Sequence, residues 1–206
     1  MTAADPPLAA VAVDPRIAAE HPGLRVWSTR VAARTARTPP ELRDRLALLA
    51  DRLRGPEAVA LRSRPVPAAY RVLFRQLGID PDVVRTPVEA LVVERLLLGG
   101  FATRGLPQDA LALATLETGV PLWAVDADRL HGRLELVPDA GGRLVLADAA
   151  GTVAVLFGPP LPERAPTRRT HVLALLAVQA PGVDDLFVEE ALWTAAAAMP
   201  TIDTAS

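Results

Sequence analysis

Hydrophobic positions follow two rhythms along this chain, and the rhythm changes near residue 119. Before that point apolar residues recur every three or four positions. Leu42, Leu46, Leu49 and Leu53 form one such stripe, the mark of an amphipathic helix with its arginines on the opposite side. Thr38 is expected to cap this helix, Pro39 and Pro40 to open it and Gly55 to stop it. A second stripe, Tyr70, Leu73, Phe74 and Leu77, predicts a core-facing helix that ends at Gly78. In "TPVEALVVERLLLGG", Thr86 is the expected N-cap, with Pro87 first and Glu89 third in the helix, a capping box. Gly99 and Gly100 end that helix. It is apolar on most sides, so a central position is expected for it. "LPQDALALATLETG" reads as a further helix ended by Gly119. Ahead of all of these, "LRVWSTRVAA" (24–33) is rich in β-branched residues and predicts a strand.

After Gly119 the runs shorten and Gly or Asp turns divide them. "PLWAVD", "GRLELVPD", "GRLVLAD" and "GTVAVLFG" read as strands of a meander or a paired sheet. "THVLALLAV" (170–178) predicts a buried strand. A closing helix is expected over about 184–199, where Val188, Leu192, Ala195 and Met199 share a face. One strand, then helices, then strands, then a helix is segregated order, so the fold class is α+β and not doubly wound. At 206 residues, half of them hydrophobic, the chain has enough to bury one core. The expected organisation is an Ala/Pro-rich disordered tail (1–10), a single domain (11–199) and a short C-terminal tail (200–206).

Composition then narrows the chemistry. The chain has no Cys, no Lys and no Asn. Disulfides, thiolate metal sites, thiol nucleophiles and Schiff bases are all excluded. Every positive side chain is an Arg, which grips phosphate or carboxylate in a bidentate way; a GC-rich genome produces the same bias. Ser stands only at 28, 63 and 206, and His only at 21, 131 and 171. No G-x-S-x-G or H-E-x-x-H pattern joins them, so neither a Ser-His triad nor a metal site is expected, and no cofactor. No apolar run approaches the roughly 18 residues that cross a bilayer. The first residues lack a basic start and an apolar core. A cytoplasmic protein without membrane contact is the expectation.

Net charge is −2, but it is unevenly spread. Residues 25–75 carry twelve Arg against Glu41, Asp44, Asp51 and Glu57. Such a basic half attracts polyanions such as RNA, and Arg43, Arg45, Arg52 and Arg54 are the expected contacts. A solvated helix face with mixed ion pairs is the competing reading.

Three stretches carry a family likeness. They are "YRVLFRQLGIDP", "RTPVEAL" and "GVPLWAVDADRLHG", the last with Gly119, Pro121, Ala124, Asp126, Asp128 and Gly132 in place. In this order they resemble the B3/B4 tRNA-editing domain of the phenylalanyl-tRNA synthetase beta chain, and more closely the free-standing proteins built from that domain. The likeness covers roughly residues 40–195. It implies a layered β-sandwich with flanking helices. It also implies recognition of aminoacyl-tRNA, with hydrolysis of the mischarged ester. The resemblance sets Trp123 where the family has its editing histidine, Ala102 at an arginine, and Leu111 and Ala112 at a Thr-Asn pair. It retains the family's aspartate as Asp109. Near 173–178, where a glutamate is expected, only Leu, Ala and Val stand, followed by Gln179.

The framework positions therefore persist while the chemical ones do not. A pocket formed by Trp123, Ala102, Ala112, Asp109, Leu111 and Ala124 is bulkier and drier than the family's, and favours an apolar or aromatic group. Alternatively Trp123 only fills the core. If the site hydrolyses an ester, Asp126 and Glu117 are the acids expected to act. Asp126 and Asp128 with Arg129 read equally well as turn residues with a surface ion pair. The expected function is a free-standing B3/B4-like protein recognising aminoacyl-tRNA, as a deacylase with a degenerate site. The alternatives are a non-catalytic module for a small aromatic or apolar ligand, and an enzyme acting on an unrelated metabolite.

Overall fold

The computed structural model describes residues 7–200. The chain opens with β1 (Ala9–Ala10), β2 (Ala12–Val13), α1 (Pro15–Glu20) and β3 (Arg25–Ala32). The helices α2 (Pro40–Arg52), α3 (Gly55–Leu61), α4 (Pro65–Gln76), α5 (Pro87–Leu98) and α6 (Gln108–Thr118) follow. Then come β4 (Leu122–Asp126), a 3-10 turn (Ala127–Arg129), β5 (Glu135–Pro138), β6 (Leu144–Asp148), β7 (Gly151–Val155), β8 (Val172–Gln179) and α7 (Asp185–Ala197). The strands make two four-stranded sheets, ordered β1-β3-β8-β4 and β2-β5-β6-β7. The fold is α+β.

β8 lies at the centre of the first sheet. It pairs antiparallel with β3 (Thr29 opposite Leu175) and with β4 (Ala124 opposite Leu175). Leu173 to Gln179 are all buried. Both faces of the strand are covered, so its sequence is an unbroken apolar run and not an alternation. Tyr70 of α4 is fully buried, and its hydroxyl donates to the Val178 carbonyl at 2.6 Å. Burial pushes its phenol well above the ordinary value, so this bond holds at any pH the protein meets. In the second sheet β5, β6 and β7 form an antiparallel meander, and β2 joins β5 in parallel. One hydrophobic core takes in residues of both sheets, with Leu136 and Leu146 from one and Leu173 and Leu175 from the other.

Local signals set several boundaries as expected. The Thr86–Glu89 capping box is formed at the start of α5. Asp184 caps α7 by accepting from the Leu186 amide. Gly119 ends α6 with a φ of 81°, and a Cβ there would lie 3.1 Å from Val66 Cγ1. Backbone conformation and close packing against α4 both require glycine at that point.

Other expectations are corrected. Thr38 is not the cap of α2; Pro39 occupies that position, and Thr38 is buried, its hydroxyl donating to Asp109. Gly55 does not simply stop α2. It opens α3, because Pro56 in the next position carries a φ already suited to a first helical turn. β4 leaves the meander and pairs with β8. Ala9 and Ala10, read as tail, pair with Ser28 and Trp27; residues 1–6 and 201–206 lie outside the described residues. The largest correction concerns α5, which is peripheral. Only Val88 and Val92 are buried, whereas Leu97 is 79% exposed and Leu98 63%. α6 takes the central place, packing on α2, α5, α7 and β4. Its fully buried Ala110 and Ala114 allow close approach from several sides. No helix among the described residues is long and apolar enough to cross a membrane.

Candidate polyanion-binding site

The residues expected to form an amino-acid pocket lie on β4, on α6 and in the loop after α5. Trp123 lies on β4, half-buried, with its ring 5.9 Å from that of Phe157. Phe157 also meets Phe74 at 4.7 Å and Tyr70 at 6.4 Å, so the indole belongs to an aromatic packing cluster. Ala124 is its neighbour on the strand and points to the other face. Ala102 is exposed after α5, and Leu111 and Ala112 are half-buried on α6. None of these five lines the cleft described below.

The two acids expected to act in ester hydrolysis, Glu117 and Asp126, are each engaged by other groups. Glu117, in the last turn of α6, binds Arg45 of α2 through both carboxylate oxygens at 3.0 and 2.9 Å. Asp126 is buried. It accepts from the Thr170 hydroxyl at 2.6 Å and the Asp128 amide at 3.1 Å, and it pairs with Arg129. This is the turn-and-ion-pair arrangement. Glu117 and Asp126 therefore stand in separate ion pairs, with Arg45 and with Arg129. His131 and His171 are both exposed. The described residues contain no group of three His, Asp or Glu that could hold a metal ion.

A different site emerges where three loops meet. The linker from β3 into α2, the loop ahead of α6 and the loop ahead of β8 enclose a cleft of about 970 Å³. Arg34, Arg37, Arg43, Arg104 and Arg168 line it, and no carboxylate does. Arg104 pairs with Glu94 at 2.5 Å. The other four arginines are exposed and have no ion-pair partner among the described residues. Gathering like charges round one space costs energy unless a counter-charge arrives, and it makes the cleft a focus of positive potential.

Two buried carboxylates fix the cleft walls. Asp109, 2% exposed in the first turn of α6, accepts from the Thr38 hydroxyl of one wall. From the second wall it accepts the amides of Arg104 at 2.9 Å and Gly105 at 3.1 Å. The Leu106 amide donates to the Ala36 carbonyl beside it at 2.8 Å. A Cβ on Gly105 would lie 2.8 Å from that same carbonyl oxygen, so only glycine permits this approach. Asp126 anchors the third wall through Thr170, whose hydroxyl oxygen accepts from the Thr167 amide at 2.9 Å. The Thr167 carbonyl in turn accepts from the Thr35 hydroxyl at 3.2 Å. Asp109 and Asp126 thus hold the arginine loops in place.

A buried ion pair braces the chain just before the third wall. Arg164 meets Asp148 at 3.0 Å, with side-chain exposures of 8% and 0%. Burial opposes ionisation of Asp148, but the His131 and Ala150 amides and the Arg164 charge outweigh it and hold its carboxyl below the usual range.

Of the arginines expected to meet RNA, Arg43 alone lines the cleft. Arg45 is paired with Glu117, Arg54 with Asp51 at 3.4 Å, and Arg52 is exposed elsewhere on α2. Arg104 and Arg168 lie far along the chain from the basic stretch; an Arg-Thr alternation in "RTARTPP" and "PTRRT" marks Arg34, Arg37 and Arg168, and no such signal marks Arg104. No family model matches the chain, and no curated protein matches it.

Proposed function

We propose that this chain binds RNA along the arginine cleft, with tRNA or aminoacyl-tRNA as the class to which the sequence resemblance points. One observation carries the reading: four unpaired arginines surround a single cleft that no carboxylate lines. Guanidinium groups match phosphate oxygens bidentately, and each contact releases a counterion. No aromatic ring lines the cleft, so phosphate, not base stacking, dominates. The same resemblance supports a layered sandwich of the B3/B4 kind for the two sheets. The proposed activity is binding, because both acids that hydrolysis would call on are held by other groups.

The test is filter binding of tRNA against salt. Four phosphate contacts predict a slope of about −3 to −4 for log affinity against log salt. Arg37→Ala with Arg43→Ala should remove roughly two contacts' worth of that slope. A flat salt response in the native protein would refute RNA binding at this cleft.

A further inference from the structure

The exposed side of α5 is the least expected surface of the molecule. Val59 of α3, Val83 and Val84 of the preceding turn, and Leu96, Leu97 and Leu98 of α5 are each at least 44% exposed. Between α3 and α5 runs a groove with a cavity of about 270 Å³, and a second of about 460 Å³, lined by Arg85 and α5, adjoins it through Arg85 and Val93. Its acids are already satisfied from within. Arg71 holds Asp82 at 2.5 Å and Glu89 at 2.7 Å, and Arg104 holds Glu94. Its exposed arginines, Arg62 and Arg85, have no ion-pair partner among the described residues. An apolar groove rimmed by unpaired positive charge fits an apolar segment carrying negative charge.

The chain itself presents such a segment. At the start of α7, Leu186 is 62% exposed and Phe187 39%. Glu189 and Glu190 follow, and neither has an ion-pair partner among the described residues. Within one chain α7 is fixed against α6, β8 and β3, so this turn faces solvent. We propose that the α3–α5 groove takes the start of α7 from a second copy of the chain. Phe187 and Leu186 bury against the exposed leucines, and Glu189 and Glu190 meet Arg62 and Arg85. Reciprocal exchange closes a dimer; a one-way contact continues into a longer assembly. This surface explains why α5 is apolar on most sides yet lies at the edge of the fold. It shares no unpaired arginine with the RNA cleft.

The experiment is sedimentation of the full chain over a concentration series. The native protein is expected to self-associate. A groove variant (Arg62→Glu with Arg85→Glu) and a helix variant (Glu189→Arg with Glu190→Arg) are each expected to lose about tenfold or more in affinity. Their thermal unfolding should stay within a few degrees of the native protein's, since Arg62, Arg85 and Glu190 are exposed, Glu189 is half-buried, and none has an ion-pair partner among the described residues. Mixing the two variants should restore association, because every contact in the mixed pair again joins opposite charges. A native protein that stays monomeric throughout overturns the proposal. So does association that survives in either variant alone, or a mixture that fails to recover it.

Discussion

The surroundings of Trp123 and the arginine cleft differ in the kind of energy that organises them. Around Trp123 the contacts are apolar: its ring meets Phe157 at a tilt, and Phe157 in turn meets the fully buried Phe74 and Tyr70 of α4 in tilted and edge-on contacts. Around the cleft the contacts are polar and directed, with buried carboxylates tying threonines and backbone amides into loops that hold arginines outward. The first region gains from excluding water, so its contribution is to stability. The second leaves charge uncompensated, which is the property on which the proposed anion binding rests. Perturbing each region should therefore move a different observable.

The largest effect is expected at the brace beneath the third cleft wall. Asp148→Asn leaves the Arg164 charge buried without its partner, which should cost about 3–5 kcal/mol of stability in denaturant unfolding. The same pair predicts a pH dependence. The Asp148 carboxyl is held below its usual range, so its stabilisation is complete above the ordinary aspartate pKa. It is lost as pH falls through the lower folded value. Chemical denaturation followed down through that acid range should show a steeper loss for the native protein than for Asp148→Asn. Equal slopes would show that this carboxylate is not linked to folding.

Next in size is Trp123→Ala. Removing a half-buried indole should cost about 3 kcal/mol. Under conditions where the variant remains folded, its affinity for tRNA should match the native value. A selective loss of binding at full stability would return Trp123 to the site and merge the two regions that the contacts separate.

Much of the fold was legible because period and punctuation agreed. α4, α6 and α7 show clear helical spacing and ends, and β8 is a continuous apolar run between turns. The Thr86–Glu89 box announced the start of α5 to the residue. What was hidden had physical causes. β1 and β2 are two residues each, too short to show any period. The Gly55–Pro56 step carries a stop signal and a start signal at once. The apolar circumference of α5 carries no sign of which side meets the core, so a central position is the natural expectation for a helix that is in fact exposed.

The site was less legible than the fold. Local sequence shows arginines but not which of them remain unpaired. Arg43 and Arg45 stand two residues apart on α2, yet one faces the cleft and the other is neutralised by Glu117 from α6. The walls are joined by contacts between residues 35 and 167, and between 38 and 109. No spacing rule reaches across such separations. The resemblance marks Asp109 and Asp126 by their motif positions; their burial, which a carboxylate tolerates only with partners, is visible only in the fold. Both accept hydrogen bonds from the loops that wall the cleft.

The most direct test compares two pairs of arginines, one at each end of α2. Arg37→Ala with Arg43→Ala removes charge from the cleft, whereas Arg52→Ala with Arg54→Ala removes equal charge from outside it. With tRNA affinity measured at one low salt concentration, the cleft pair should bind about tenfold or more weakly while the other pair stays within about twofold of native. Equal losses in the two variants would mean that diffuse positive charge, not this cleft, carries the binding.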